Sequence, residues 1–251
     1  MKISIFDNKE KGSKNLALLF VNKIQEVLSK KSICTISLAT GSSPITFYKE
    51  LIKIFKSKKV DFDNIIIFNL DEFLDIEPNS INSYNYYMHK HLLNHIRIKE
   101  KNINLLSGNR KNITEYCKSI ETKIKKYGGI DIQILGIGRN GHIGFNEPGS
   151  KKSSLTRSVN ISHDSISILA KDFKNSNNVP KKAITLGIKT ILSAKKIYLM
   201  AWGLNKSIII KEAIEGNIDK SCPASFLQLH NDAEFFIDKN ASSKLSIKSK
   251  S

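Results

Sequence analysis

The sequence predicts a three-layer αβα fold: a single domain built on a mostly parallel, Rossmann-like open sheet. Short apolar runs of strand length alternate along the chain with longer stretches whose apolar residues recur every three or four positions. This alternation is typical of a parallel sheet covered by helices on both faces. The 251 residues, 40% of them hydrophobic, can bury one sizeable core. A fibrous or wholly disordered chain is therefore excluded.

Each predicted element rests on the period of its apolar residues. Leu16, Phe20 and Ile24 are four residues apart and predict an amphipathic helix, whereas an unbroken apolar run such as Ile65–Phe68 predicts a buried strand. In chain order we predict strand Ile3–Phe6, helix Gly12–Ser29, strand Cys34–Ala39, helix Ile45–Phe55, strand Ile65–Phe68, helices Tyr84–His95 and Thr114–Tyr127, strands Ile130–Leu135 and Ile197–Met200, helix Asn205–Glu215, and Glu234–Ile237 as an edge strand.

The domain organisation follows from the lack of internal repeats and of Pro- or Gly-rich linkers. We expect one domain over residues 1–241 and a disordered polar tail over residues 242–251. The polar segment Lys171–Lys182, which Pro180 interrupts, fits a mobile lid and a solvated connection equally well.

The charge of the chain suggests a partner that its composition does not support. Forty Lys plus Arg against 23 Asp plus Glu give a net charge of +17, which favours nucleic acid or a membrane surface. Only four of the forty are Arg, the residue best suited to phosphates and base edges. We therefore expect no nucleic acid and no membrane as partner. A nucleic-acid-binding or sugar-phosphate-sensing protein is the alternative that the charge leaves open.

The cysteines and the first residues of the chain predict a soluble cytoplasmic protein. Cys34, Cys117 and Cys222 are far apart and have no C-x-x-C spacing, so neither a disulfide framework nor a zinc site is indicated. Asp7 and Glu10 interrupt the stretch in which a signal peptide would need apolar residues.

The segment LATGSSP, residues 38–44, is the first candidate site. It leaves a predicted strand and enters a helix, where Gly41 permits a tight turn and Thr40, Ser42 and Ser43 offer hydroxyl groups. Hydroxyl groups and N–H groups at a helix start form a suitable cradle for phosphate. The alternative is a serine N-cap with a glycine turn.

The segment NLDEF, residues 69–73, is the second candidate site. Asp71 and Glu72 directly follow a buried strand, and ligands bind outside the carboxyl ends of parallel strands. A carboxylate partly removed from water has a raised pKa and is a better base for a carbon-bound proton. The alternative is a helix-capping Asp with a solvated Glu.

The segment GIGRNGHIGFNEPG, residues 136–149, is the third candidate site. Its five glycines in fourteen residues cost chain entropy unless the backbone has unusual dihedrals or approaches a ligand closely. His142 and Glu147 are the reactive pair, because a nearby carboxylate fixes the imidazole tautomer that a proton shuttle needs.

The histidines of YYMHKHLLNHIRI were also considered as metal ligands. On the predicted helix His91 and His95 stand at positions i and i+4, but no carboxylate or Cys is placed to complete a metal site. We therefore predict no metal.

The three motifs, in this order, resemble the glucosamine-6-phosphate deaminase family. The resemblance extends over almost the whole chain, through VPKKAITLGI (179–188), EGNI (215–218), PAS (223–225) and LQLH (227–230). The related 6-phosphogluconolactonases share the fold and a Gly-x-Gly-x-x-Gly-His loop, which continues as Ala-Ser-Leu-Phe-Pro. This chain instead continues as Ile-Gly-Phe-Asn-Glu-Pro over residues 143–148.

The resemblance implies a cytoplasmic hydrolase of amino sugar catabolism, which converts glucosamine 6-phosphate and water into fructose 6-phosphate and ammonia without metal or organic cofactor. By the same resemblance, His142 held by Glu147 opens the sugar ring, and Asp71 moves a proton from carbon 2 to carbon 1. Asn140 matches a position that is Asp in some members. Since an amide is no base, Asn140 is expected to hydrogen-bond during ring opening.

For the substrate phosphate, the resemblance implies the Thr40–Ser43 loop together with Lys171 and Lys206. Many members have Arg at the position of Lys171, and a lysine lacks the bidentate geometry of a guanidinium. Some relatives are hexamers activated by N-acetylglucosamine 6-phosphate, so a homo-oligomer is compatible with the resemblance. The segment GSKKSSLTRSVN keeps Arg157 but otherwise differs from that allosteric pattern, which argues against the same activation.

Overall fold

The computed structural model describes residues 1–58, 63–171, 173, 175 and 178–246. The strands are β1 Lys2–Phe6, β2 Cys34–Leu38, β3 Ile65–Asn69, β4 Asp71–Phe73, β5 Ile103–Asn104, β6 Ile132–Leu135, β7 Arg157–Asn160, β8 Lys182–Thr185, β9 Lys196–Ala201 and β10 Ala233–Asp238. The helices are α1 Lys9–Leu28, α2 Pro44–Lys58, α3 Tyr84–His91, α4 Ile113–Lys126, α5 His163–Leu169, α6 Ile188–Leu192 and α7 Ser207–Glu215. Short 3-10 helices include Leu93–His95, Glu100–Asn102, Leu204–Lys206 and Pro223–Leu229. Within these ranges, every helix is too short or too polar to cross a lipid bilayer.

A seven-stranded parallel sheet forms the centre of the molecule. Its strand order is β1-β10-β9-β6-β2-β3-β5, and every pairing in it is parallel. From β2 the chain proceeds outward through β3 to β5, whereas from β6 it proceeds in the other direction through β9 to β10. The direction of winding therefore changes between β2 and β6, where such sheets bind ligands. The predicted three-layer α/β fold is confirmed.

The position of β10 corrects one prediction. Glu234–Ile237 was expected at an edge, but β10 pairs with both β1 and β9 and lies inside the sheet. All six of its residues are buried, as an interior strand with helices on both faces requires. The edges are formed by β1 and β5.

A second, three-stranded sheet was not predicted from the sequence. Its order is β4-β8-β7, and both pairings are antiparallel. A small apolar cluster accompanies it, in which the ring of Phe73 lies between those of Phe145 and Phe173, at centroid distances of 5.5 and 5.4 Å. This sheet places the residues of β4 beside the central sheet.

The helix predicted over Tyr84–His95 is too long. It ends at His91, and a 3-10 turn, Leu93–His95, follows. Leu92 and Leu93 are 1% and 4% exposed, and the chain leaves the helix where both of these adjacent side chains are buried. His91 and His95 therefore do not share a helix face. In the described part of the chain, no three His, Cys, Asp or Glu side chains are grouped as a metal ion would need.

Two predictions at the protein surface fall partly outside the described residues. In the segment Lys171–Lys182, residues 172, 174, 176 and 177 lie outside them, whereas Phe173 and Val179 are buried. In the predicted tail, residues 247–251 lie outside them. The preceding residues are described, and the main-chain N–H of Ser246 donates to Glu215.

Candidate active site

The predicted site residues follow four adjacent strands. In the central sheet β9, β6, β2 and β3 are neighbours and run in the same direction. Lys206 follows β9, the glycine-rich segment follows β6, the Thr40–Ser43 loop follows β2, and Asp71 follows β3. Because the carboxyl ends of parallel strands share one edge of the sheet, these groups lie along one rim, at the point where the winding changes direction.

Asp71 and Glu72 are both buried but have different surroundings. Glu72 is 1% exposed and accepts hydrogen bonds from the main-chain N–H groups of Phe73, Tyr84 and Asn85, at 2.9, 2.9 and 2.8 Å. Tyr84 and Asn85 begin α3, so Glu72 satisfies the start of that helix. The alternative of a capping Asp and a solvated Glu is therefore wrong.

Asp71 is a buried carboxylate with a free oxygen. It is 6% exposed, and among the described residues no hydrogen-bond partner reaches its Oδ1. Burial, and then the charge of Glu72, raise the pKa of Asp71 to about 8. A carboxylate in these surroundings can accept a proton near neutral pH.

The raised pKa predicts how Asp71 affects stability. Above the ordinary value of 3.8 the unfolded chain loses this proton, whereas the folded chain keeps it up to about pH 8. The folded state then binds more protons, so this group lowers the free energy of unfolding as the pH rises. An asparagine side chain at this position could not ionise. We expect Asp71→Asn to be more stable than the wild type at about pH 9, by on the order of 5 kcal/mol, and equally stable near about pH 4.

Urea unfolding at the two pH values measures this effect. A stability difference that is the same at both pH values would show that the burial of a charge is not its cause. Stability gained through the loss of a strained functional group is a common trade-off in enzymes.

In the glycine-rich segment, the imidazole of His142 lies close to the backbone of Gly138. The N–H of Gly138 donates to the carbonyl oxygen of His142 at 2.9 Å. A Cβ atom on residue 138 would overlap the imidazole ring of His142. Only glycine at position 138 therefore leaves room for His142 in this position.

Glu147 links His142 to two other side chains, those of Asn140 and Ser165. Its Oε2 lies 3.4 Å from Nδ1 of His142 and accepts a hydrogen bond from the amide of Asn140 at 2.7 Å. Its Oε1 accepts one from the hydroxyl of Ser165, on α5, at 2.5 Å. The other end of Asn140, Oδ1, accepts from the main-chain N–H of His142 at 3.2 Å. The predicted group of Asn140, His142 and Glu147 is thus assembled, and Ser165 is added to it.

Glu147 remains ionised in this group. Burial alone would raise its pKa, but the adjacent imidazole of His142, followed by the hydrogen bonds of Ser165 and Asn140, lowers it to about 2. A fixed negative charge beside Nδ1 orients the imidazole so that Nε2 is left for the substrate.

Thr185 connects the acid of β4 with the glycine-rich segment. It pairs with Asp71 in the β4–β8 register, and its hydroxyl oxygen accepts a hydrogen bond from the main-chain N–H of Phe145 at 3.2 Å. Sequence reasoning missed Thr185 and Ser165 as site residues because they lie on β8 and α5, two short elements that the period of the apolar residues did not predict.

The predicted phosphate loop contacts the segment that precedes Lys206. The indole N–H of Trp202, between β9 and Lys206, donates to the carbonyl oxygen of Ser43 at 3.2 Å. Nζ of Lys206 donates to the carbonyl oxygen of Ile137, in the glycine-rich segment, at 2.7 Å. Lys206 therefore contacts the glycine-rich segment, directly before α7, and follows a residue that contacts the phosphate loop.

The cationic group of Lys206 is in an unfavourable place. Burial, followed by the charge of Arg139, lowers its pKa, and a position at the start of a helix also disfavours a cation. An anionic ligand would relieve both effects. Lys171 follows α5 and is exposed, and no contact with the other site residues is found for it in the described part of the chain.

A cavity of about 500 Å³ is lined in part by Phe145, Glu147 and Gly149, at the end of the glycine-rich segment. Its wall includes Ser150 and Arg157, and the guanidinium of Arg157 donates to Asn146 and Ser150 at 2.8 and 3.2 Å. Neither Asp71 nor the Thr40–Ser43 loop is part of its lining. We therefore place the reacting groups on the sheet rim and not in this cavity.

Comparison with known sequences identifies close relatives. The pattern of the glucosamine-6-phosphate isomerase/6-phosphogluconolactonase family matches residues 7–236. A glucosamine-6-phosphate deaminase of Clostridium botulinum (strain Loch Maree / Type A3) is 46% identical over 248 residues, which cover 99% of this chain and 100% of the relative. A glucosamine-6-phosphate deaminase of Thermoanaerobacter sp. (strain X514) is 43% identical over 97% of this chain and 94% of the relative.

Two solved structures are similar to this chain over nearly its whole length. A monomeric glucosamine-6-phosphate deaminase matches with a TM-score of 0.93 and 37% identity, over 97% of this chain and 100% of the other. The 6-phosphogluconolactonase of Thermotoga maritima matches with a TM-score of 0.76 and 20% identity, over 95% and 99%. The second similarity shows a shared fold alone.

Proposed function

The chain belongs to the glucosamine-6-phosphate isomerase/6-phosphogluconolactonase family, and we propose that it is a glucosamine-6-phosphate deaminase. It converts glucosamine 6-phosphate and water into fructose 6-phosphate and ammonia, a step of amino sugar catabolism. The observation that carries this proposal is the buried carboxylate of Asp71, with its free oxygen, on the same rim as the His142–Glu147 pair. A lactonase has no use for a base at carbon 2.

Ring opening is the task of His142. The closed sugar loses the proton of its anomeric hydroxyl and gains one on the ring oxygen, while the bond between carbon 1 and the ring oxygen breaks. An imidazole can transfer both protons because it accepts and donates at the same nitrogen. Glu147 and Asn140 keep the imidazole of His142 in place during this exchange, through the contacts described above.

Isomerisation is the task of Asp71. Its carboxylate removes the proton from carbon 2 of the open sugar and returns it to carbon 1, while the ammonium group on carbon 2 loses a proton and the oxygen on carbon 1 gains one. These transfers leave a protonated carbon–nitrogen double bond at carbon 2. Water adds to this bond, and ammonia leaves to give the ketose. The substrate carries an amino group on carbon 2, and its positive charge favours the ionised form of a carboxylate beside it. These steps use side chains alone, so we propose no metal and no organic cofactor.

Recognition of the phosphate is the task of the Thr40–Ser43 loop and Lys206, with Lys171 as a further cation. The loop offers N–H and hydroxyl groups, and Lys206 offers charge on the adjoining side. The small-molecule substrate is the partner we propose. Homo-oligomer formation stays a prediction, and the 37%-identical deaminase is described as monomeric.

The direct test is product release by the purified protein. Ammonia and fructose 6-phosphate are measured together from glucosamine 6-phosphate, in the presence of EDTA, because the proposed mechanism needs no metal. Equal amounts of both products support the proposal. Release of neither product, although the sugar phosphate binds, would overturn the assignment of the reaction and leave a sugar-phosphate-binding protein of this fold.

Lys206→Ala is expected to weaken substrate binding. A charge-assisted contact to phosphate contributes on the order of 1.5–3 kcal/mol, so we expect KM to rise by roughly 10- to 100-fold. We expect kcat to fall by a smaller factor, since the amine does not act on the reacting carbons. Lys211→Ala, five residues further along in α7 and exposed, is the matched control. An unchanged KM would exclude Lys206 from the phosphate site.

A further inference from the structure

The main-chain N–H groups of the phosphate loop are available for a ligand. Among the described residues, no protein acceptor is found for the N–H groups of Thr40, Gly41, Ser42 and Ser43. Gly41 and Ser42 are exposed. Free N–H groups in a tight turn bind anions only where several of them point to the same place. What holds them in that orientation is therefore part of the binding site.

Three aromatic side chains hold the carbonyl groups of this loop. The hydroxyl of Tyr48, on α2, donates to the carbonyl oxygen of Ala39 at 2.5 Å. The hydroxyl of Tyr87, on α3, donates to that of Gly41 at 2.6 Å. As described above, the indole of Trp202 donates to that of Ser43. The carbonyl groups of residues 39, 41 and 43 are thus each bound by a donor from a different part of the chain.

These bonds fix N–H groups as well as carbonyl groups. The carbonyl of one residue and the N–H of the next belong to one planar peptide and point in opposite directions. The bond from Tyr48 therefore sets the direction of the Thr40 N–H, and the bond from Tyr87 sets that of the Ser42 N–H. The bond from Trp202 sets no N–H, because residue 44 is proline.

The peptide between Gly41 and Ser42 depends most on its aromatic donor. Gly41 has a φ of +95°, a conformation that glycine adopts as easily as others. A Cβ atom at this position would meet nothing within 4 Å, so nothing packs against Gly41 on that side. Among the described residues, the contact found for the carbonyl group of this peptide is the Tyr87 hydroxyl. Tyr87 itself is held on α3, where its ring packs against that of His91 at a centroid distance of 4.4 Å.

We propose that Tyr87 is a positioning residue for the substrate phosphate: its hydroxyl holds the Gly41–Ser42 peptide so that the Ser42 N–H points at the anion. This inference rests on the proposed function for the identity of the substrate. The binding of a phosphate group by this loop can be measured whether or not the chain catalyses the proposed reaction. Tyr87 touches neither the phosphate nor the reacting carbons.

The test is the Tyr87→Phe variant, which removes one oxygen atom and keeps the ring. The probes are KM and kcat for glucosamine 6-phosphate and the inhibition constant of inorganic phosphate. We expect KM and the inhibition constant to rise together by roughly 3- to 10-fold, and kcat to change by less than about twofold. Tyr86→Phe is the matched control, since it makes the same change at the preceding position of α3, and we expect it to leave all three constants unchanged.

The outcomes separate this inference from the proposed function. If the wild type is active and Tyr87→Phe leaves both KM and the inhibition constant unchanged, the inference is overturned. A fall in kcat without a change in phosphate inhibition would also overturn it, because that is the signature of a general structural defect. If the wild type does not deaminate the sugar, the proposed function fails. In that event the binding of inorganic phosphate to wild type and Tyr87→Phe, measured by calorimetry, still tests the role of Tyr87.

Discussion

Asp71→Asn is expected to lower kcat for glucosamine 6-phosphate by at least ~10²- to 10⁴-fold, the contribution of one acid/base group. The proton on carbon 2 is held by a strong bond and needs a base with a pKa near the working pH. Asp71 has such a pKa, raised to about 8, because the fold buries it. An amide in the same place keeps the shape of the side chain but cannot accept the proton. We expect KM to change by less than about threefold, since ground-state binding is kept.

Exchange of a carbon-1 proton of fructose 6-phosphate with solvent, by way of Asp71, separates this role from others. In deuterated water the wild type is expected to place deuterium on carbon 1 of fructose 6-phosphate when ammonia is present, and Asp71→Asn is not. Asp75→Asn is the matched control: Asp75 is exposed and has a φ of 57°, which Asn tolerates. A kcat for Asp71→Asn equal to that of the wild type would sink the proposed mechanism.

The pH profile follows from the same pKa. Asp71 must be ionised to act, so kcat/KM, which reports the free enzyme, is expected to rise with pH up to about 8. The opposite sign holds for stability, which this group lowers over the same range. Activity and stability therefore trend in opposite directions, and both trends have one cause, the burial of a carboxylate.

The positions of the candidate residues could be predicted from the sequence. The central strands are buried on both faces, so they are unbroken apolar runs, and polar residues after such runs must lie at the ligand-binding rim. Asp71 after β3, His142 after β6 and Lys206 after β9 are all found there. The glycine density of residues 136–149 was also informative, although the close neighbour of Gly138 is the ring of His142 and not a ligand.

The choice between Asp71 and Glu72 came from the family resemblance and could not be made from the local sequence pattern. Both lie in β4, a strand of three residues that forms only because β8 pairs with it. Successive side chains of a strand face opposite sides, so Glu72 turns to the start of α3 and Asp71 turns away from it. This direction depends on a pairing with residues more than a hundred positions away, which no local pattern contains.

The contacts that orient the loops were also beyond sequence reasoning. Ser165, Tyr87 and Trp202 act through single hydrogen bonds to Glu147, Gly41 and Ser43, across large distances in the chain. A hydrogen bond of this kind leaves no period or spacing in the sequence. Side chains that act through a single hydrogen bond to a distant part of the chain are therefore the part of a site that only the structure can identify.

His142→Gln is expected to lower kcat/KM for glucosamine 6-phosphate by roughly 10²- to 10³-fold. Glutamine keeps a hydrogen-bonding side chain beside Glu147 but cannot exchange a proton with the ring oxygen and the anomeric hydroxyl. The carboxylate of Glu147 is then left without the imidazole that, with Ser165 and Asn140, lowers its pKa. His95→Gln, an exposed histidine outside the rim, is the matched control and is expected to keep full activity.

The division of labour between His142 and Asp71 gives a sharper outcome than the loss of rate alone. Proton exchange at carbon 1 of fructose 6-phosphate, with ammonia present, involves Asp71 but not ring closure. For His142→Gln we expect this exchange to fall much less than the formation of glucosamine 6-phosphate, so that the ratio of exchange to net turnover rises above that of the wild type. For Asp71→Asn both rates fall together. An unchanged ratio in His142→Gln would mean that His142 acts in the isomerisation itself, because a group used only in ring opening cannot slow an exchange that takes place in the open chain.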